Sequence, residues 1–308
     1  MYDNYRIVVV CPAGRRELLD IMRRYVERER PLVDEFHLWI NTDNRDDLAY
    51  MYSLAAADPN FYFLVSMPKQ PRFNRRHKTI CYFFRFAIDP DTIYIRIDDD
   101  VCWMTEGCLE ALVAHRLAYP DAYLVYGNIA NSSHFMALHQ QAGAFDPGFK
   151  IEYALSHATN RLSIPAALAA HRAFLLMAED LAAGGNRQDL LAPWICFDRH
   201  IFEAGRHNDV NMISWFGKDF AEWKGICPPQ VFEETWICLN MPCKYGGRIH
   251  EACGAALCSH YASLVQYPGL TKHPDILERY RKLQPDSDIR WQPRSEAVIS
   301  LPRVDAVS

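Results

Sequence analysis

Short apolar runs alternate with stretches of helical periodicity over the first hundred residues, and this alternation limits the fold more than any other feature of the chain. Arg6–Cys11 (RIVVVC) has the length and β-branched content of a buried strand. It leads through Pro-Ala-Gly into a segment where Leu18, Leu19, Met22, Tyr25 and Val26 recur at helical spacing. Residues 35–41 predict a second strand, 48–57 a second helix, 61–66 a third strand and 79–87 a third helix. Ile93, Ile95 and Ile97 then alternate with Tyr94 and Arg96 in a fourth strand. Such an order predicts an α/β fold, a Rossmann-like, mostly parallel sheet covered by helices on both faces, because parallel neighbours need a crossover between them.

The second half is less regular. Leu109, Leu112, Val113 and Leu117 mark a helix stopped by Pro120, a strand follows near 122–126, and 165–183 reads as a helix closed by Gly184 and Gly185. A further helix includes 234–239. With 308 residues, half of them hydrophobic, the chain can bury a sizeable core. We expect one domain over 1–285 and a polar tail at 286–308. A net charge of -5 argues against nucleic acid as a main partner. No membrane span is expected, since the apolar stretch 164–183 is broken by His171, Arg172, Glu179 and Asp180. The amino terminus does not fit a secretory signal, and ten scattered cysteines without a CxxC pair suit reduced thiols, so a cytoplasmic location is expected. Cys238, Cys243, Cys253 and Cys258, with His250 and His260, could hold zinc, although buried small side chains account for them as simply.

Directly after the fourth strand stand three aspartates, Asp98, Asp99 and Asp100. Adjacent carboxylates repel one another and resist burial, so a compensating cation or donor is expected beside them. Turn capping is one explanation. A parallel sheet, however, binds ligands beyond the carboxyl ends of its strands, where this triplet falls next to the Pro-Ala-Gly-Arg turn. Carboxylates there suit Mn²⁺ or Mg²⁺ bridging to a phosphate.

Together, the triplet and the strand-helix order from Arg6 to Gly127 resemble the Asp-x-Asp signature and fold of GT-A glycosyltransferases. The resemblance implies a metal-dependent sugar transfer from a nucleotide-sugar donor to a hydroxyl of a glycan or small acceptor, with 1–127 holding the donor and 128–285 the acceptor. It implies Asp98 and Asp99 near the nucleotide sugar, Asp100 on the metal, and Pro12, Ala13 and Arg15 around the nucleotide. Arg72, Arg75, Arg76 and Lys78 would serve the phosphates, as a basic turn just before the third helix. Glu234, in FEETWICL, would be the base of an inverting reaction, with Asp219 and Glu222 in reserve. His260 would complete the metal shell, His250 competing for that role, and 244–248 would form a flap. Trp215 and Trp223 could line an acceptor groove or fill the core. Two alternatives stand beside this reading. A sugar-phosphate nucleotidyltransferase would carry a more glycine-rich first loop than Gly14 alone provides, and a non-catalytic nucleotide-fold scaffold would use the triplet as a turn.

Overall fold

The computed structural model describes residues 2–67, 80–151, 163–203, 205–206, 209–228, 231–262 and 267–287. β1 (Arg6–Ala13) and α1 (Arg16–Arg28) open the chain, followed by β2 (Glu35–Ile40), α2 (Arg45–Ala57) and β3 (Tyr62–Val65). Asn44 caps α2 by accepting from the amides of Asp46 and Asp47. β4 (Thr92–Ile97) completes the parallel group: β2 and β4 flank β1, and β3 pairs with β2. The segment before β4 is a 3₁₀ helix, Ile80–Phe86, in place of the expected α-helix.

Beyond the triplet come β5 (Val101–Met104), α3 (Cys108–Ala118), β6 (Val125–Ile129), α4 (Ser133–Gln141) and α5 (Ser163–Ala182). After α6 (Arg187–Leu191) the chain forms β7 (Arg199–Ile201), β8 (Met212–Phe216), α7 (Gly217–Ala221) and a composite helix over 233–244 with one π turn, Trp236–Asn240. β9 (Glu251–His260), α8 (Tyr267–Leu270) and α9 (Pro274–Leu283) end it. The nine strands make one sheet in the order β3-β2-β1-β4-β8-β6-β9-β5, with β7 also on β9. β8 runs antiparallel to β4 and β6, and β9 runs parallel to β6 and antiparallel to β5 and β7. The fold is thus α/β, with a parallel amino-terminal group continued by mixed pairing.

Every residue of β4, β5, β6 and β8 is buried, as expected of strands covered on both faces. Trp215 and Trp223 lie in this core: the Trp215 indole donates to the Ala87 carbonyl and the Trp223 indole to the Tyr123 hydroxyl. An acceptor groove built on these two rings is therefore corrected to core packing. Cys253 and Cys258 belong to β9, and among the described residues no group of three or more His, Cys, Asp or Glu side chains is arranged to hold a metal.

Candidate functional site at the carboxyl edge of the sheet

The chain leaves β1 toward β2 on one side and returns to β4 on the other, so the crevice beyond Ala13 and Ile97 is the point where strand order reverses. The β1–α1 loop and the acidic triplet meet there. The Gly14 and Arg15 amides each donate to Asp99 Oδ2 at 2.9 Å. The Arg15 guanidinium donates to Asp99 Oδ1, through Nε at 3.0 Å and through Nη2, which also lies 2.7 Å from Asp100 Oδ2. Pro12 and Ala13 are the last residues of β1, paired with Trp39 and Ile40. Gly14 has little room for a side chain, since a Cβ would sit 3.0 Å from the Asn41 carbonyl oxygen.

Asp100 meets His260 at its other oxygen, Oδ1 to Nε2 at 2.9 Å. Asn211 bridges from the β8 side, donating to Asp98 Oδ2 at 2.9 Å and lying 3.2 Å from His260 Nε2. Arg96 donates through Nε to Asp98 Oδ1 at 2.8 Å and pairs through its other end with Glu233. Burial raises the Asp99 carboxyl above the usual range, with Arg15 pulling against it. Burial opposes the charge on Asp100 as well, but His260 and Arg15 outweigh it and hold this carboxyl low. His260 is correspondingly raised: burial disfavours its cation, and Asp100 more than compensates.

A cleft of about 590 Å³ opens over this loop. Arg15, Arg16 and Arg281 line it together with Glu17, Asp46, Asp47 and Glu278, and Tyr261 and Tyr267 form part of its wall. Arg281 is paired with both Glu17 and Glu278.

The expected site residues divide on this geometry. Arg15, Asp98, Asp99, Asp100 and His260 come together. Glu234 is half-buried in the first turn of the 233–244 helix, and its neighbour Glu233 is the one that reaches Arg96. Asp219 forms a two-pronged ion pair with Arg248, which also donates to the Asp121 and Ala122 carbonyls, so the 244–248 segment is anchored there. Glu222 is exposed, and His250 is buried 2.7 Å from the Cys238 carbonyl oxygen. Arg72, Arg75, Arg76 and Lys78 lie outside the described residues. Sequence reading missed Asn211 and the bridging part of Arg96, and of the acidic pair in FEETWICL it chose Glu234 over Glu233. The one sequence signal was a lone arginine inside an isoleucine strand.

The carboxylates do not fit a resident Mn²⁺ or Mg²⁺ as they stand. Each oxygen of Asp99 and Asp100 faces Arg15, a loop amide or His260, and both oxygens of Asp98 are taken by Arg96 and Asn211. No family model and no curated protein matches the chain. Solved structures similar to it include the following two. One, of 4-diphosphocytidyl-2C-methyl-D-erythritol synthase, is 12% identical with a TM-score of 0.31, over 42% of this chain and 62% of that one. The other, of CMP:2-keto-3-deoxy-manno-octonic acid synthetase complexed with CTP, is 11% identical with a TM-score of 0.43, over 90% of this chain and 99% of that one. The expectation of a glycosyltransferase is corrected by these findings. Neither protein is named as a glycosyltransferase. No described helix is long and apolar enough to cross a membrane.

Proposed function

We propose that the chain is a nucleotidyltransferase acting on a nucleoside triphosphate and a sugar phosphate. The observation that supports this reading is the position of the cleft: it lies beyond the carboxyl ends of β1 and β2, over a short β1–α1 loop whose amides are fixed by Asp99. Its volume lies within the range of small-molecule and cofactor pockets, roughly 300–1,000 Å³. Three arginines face four carboxylates along its wall. A bare triphosphate would be repelled by that balance. A triphosphate carrying Mg²⁺ or Mn²⁺ as part of the substrate would not.

In the reaction an oxygen of the sugar phosphate forms a bond to the α-phosphorus. The α–β anhydride bond breaks, and pyrophosphate leaves with the electron pair. The acceptor phosphate is already ionised near neutral pH, with a second pKa of about 6, so no carboxylate base is required of Glu234. Arg15 and Arg16 are the residues placed to meet phosphate oxygens, and the exposed Tyr267, backed edge-on by the buried Tyr261, offers aromatic surface to a base.

The test is pyrophosphate release from each common nucleoside triphosphate with Mg²⁺ and a panel of sugar 1-phosphates. One triphosphate is expected to support release that depends on the acceptor. If none does, and none raises the melting temperature, the reading fails.

A further inference from the structure

Asp99 and Asp100, both buried, share one cation, the Arg15 guanidinium, and Asp100 also pairs with His260. A divalent ion shared by these neighbours would need the same two oxygens, Asp99 Oδ1 and Asp100 Oδ2. Of the other two, Asp99 Oδ2 accepts from the Gly14 and Arg15 amides, and Asp100 Oδ1 makes a charge contact with His260 Nε2 at 2.9 Å without a hydrogen bond of ordinary geometry. A planar guanidinium satisfies two carboxylates at once through its fork of donors, whereas Mg²⁺ and Mn²⁺ demand close approach of the oxygens themselves. The two cations are therefore alternatives at one place.

We infer that Arg15 is the resting counter-ion of this carboxylate pair and keeps divalent ions out of the free protein. Mg²⁺ or Mn²⁺ enters only with a nucleoside triphosphate, whose phosphates give the displaced guanidinium a new anionic partner. Two features make the exchange physically open. The Arg15 side chain is 40% exposed and has no capping bond to α1, so it can swing toward the cleft without disturbing the core. Asp99 stays placed when the guanidinium leaves, because the two loop amides continue to hold its other oxygen. The identity of the triphosphate rests on the proposed function; the exclusion of the ion from the free chain does not.

The experiment is a Mn²⁺ titration of the full chain without nucleotide, with free Mn²⁺ read by electron paramagnetic resonance. A site whose competent state is a minor one, about 10% or less, binds at least about tenfold more weakly than the same site freed of its competitor. Arg15→Ala is therefore expected to bind Mn²⁺ about tenfold or more tightly than the wild type. Arg15→Lys, a point charge that cannot span both carboxylates, is expected to fall between them. Asp100→Asn added to Arg15→Ala should remove the gain and so place the ion. The inference is overturned if the wild type binds Mn²⁺ as tightly as Arg15→Ala, or if neither variant gains affinity while its far-ultraviolet circular dichroism remains native. Should Arg15→Ala not fold, Arg15→Lys decides by the same criterion. The titration needs no turnover, so absence of pyrophosphate release would refute the proposed function and leave this result readable.

Discussion

Replacing Asp99 by alanine separates a carboxylate that holds the β1–α1 loop from one that serves only a ligand. Asp99 accepts from the Gly14 and Arg15 amides and from the Arg15 guanidinium while nearly fully buried. Leaving a buried donor without its acceptor costs about 1–3 kcal/mol, and removing one partner of a buried ion pair about 3–5 kcal/mol. Two features of this site reduce the sum. Arg15 is 40% exposed and retains Asp100, and loss of Asp99 relieves the repulsion between adjacent carboxylates. A net loss near the low end, about 3 kcal/mol, is therefore expected. With an unfolding entropy of roughly 2.1 cal/mol/K per residue, a chain of 308 residues shifts by about 1.5 °C per kcal/mol, which predicts a fall in Tm of about 5 °C. Asp99→Asn keeps an acceptor for the amides and should lose only about 1 kcal/mol, or less than about 2 °C. Thermal melts at pH 7 followed by circular dichroism measure both. An alanine variant as stable as the wild type would refute the loop-holding role, and equal losses for alanine and asparagine would refute the assignment of the amide bonds.

Further outcomes follow from other positions. His260 titrates higher when folded, so the stability its protonation contributes is complete below about pH 6.5 and is lost as pH rises through the folded value. The stability gap between wild type and His260→Ala, measured by urea melts from pH 5 to 9, should accordingly narrow toward the alkaline end; a gap that widens would contradict the Asp100 pairing. In β9, a Cβ on Gly254 would lie 1.5 Å from the Phe197 carbonyl oxygen, so Gly254→Ala should cost about 3 kcal/mol or more, and an unchanged denaturation midpoint would disprove that packing. Cys196 and Cys243 are exposed and the other eight cysteines are buried, so brief alkylation of the native protein should modify those two alone, as mapped by mass spectrometry; early labelling of Cys253 or Cys258 would show that β9 opens.

The amino-terminal half was legible in the sequence because its signals are local. β1, α1 and β2 each carry their own periodicity, and the parallel order follows from the helices between the strands. β8 and β9 carry no such signal. MISWF is buried throughout, so it does not alternate, and EACGAALCSH is made mostly of small residues with little β preference of their own. Their strand state comes from partners distant in sequence. At the site, the triplet and Arg15 stood out because charge next to an apolar strand is conspicuous, whereas Asn211 and Glu233 look like ordinary loop and helix-start residues until the fold brings them to Asp98 and Arg96. The inferred sugar transfer went astray for a related reason. Aspartates after a parallel strand indicate where a ligand sits and carry little information about which bond is broken.

The strand that continues from the triplet has a consequence for how the protein is made. β5 pairs with no described strand except β9, and Val101 stands directly opposite His260 in that ladder. His260 follows Asp100 by 160 residues, so at about 5–20 residues per second a ribosome spends roughly 8–32 s between them. During that interval the emerging chain already carries Arg15 and the three aspartates, but β5 has no ladder and Asp100 has no imidazole. The chemistry-bearing end of the sheet is thus assembled last, and a nascent chain halted before β9 holds an unclosed pocket with a bare strand edge beside it.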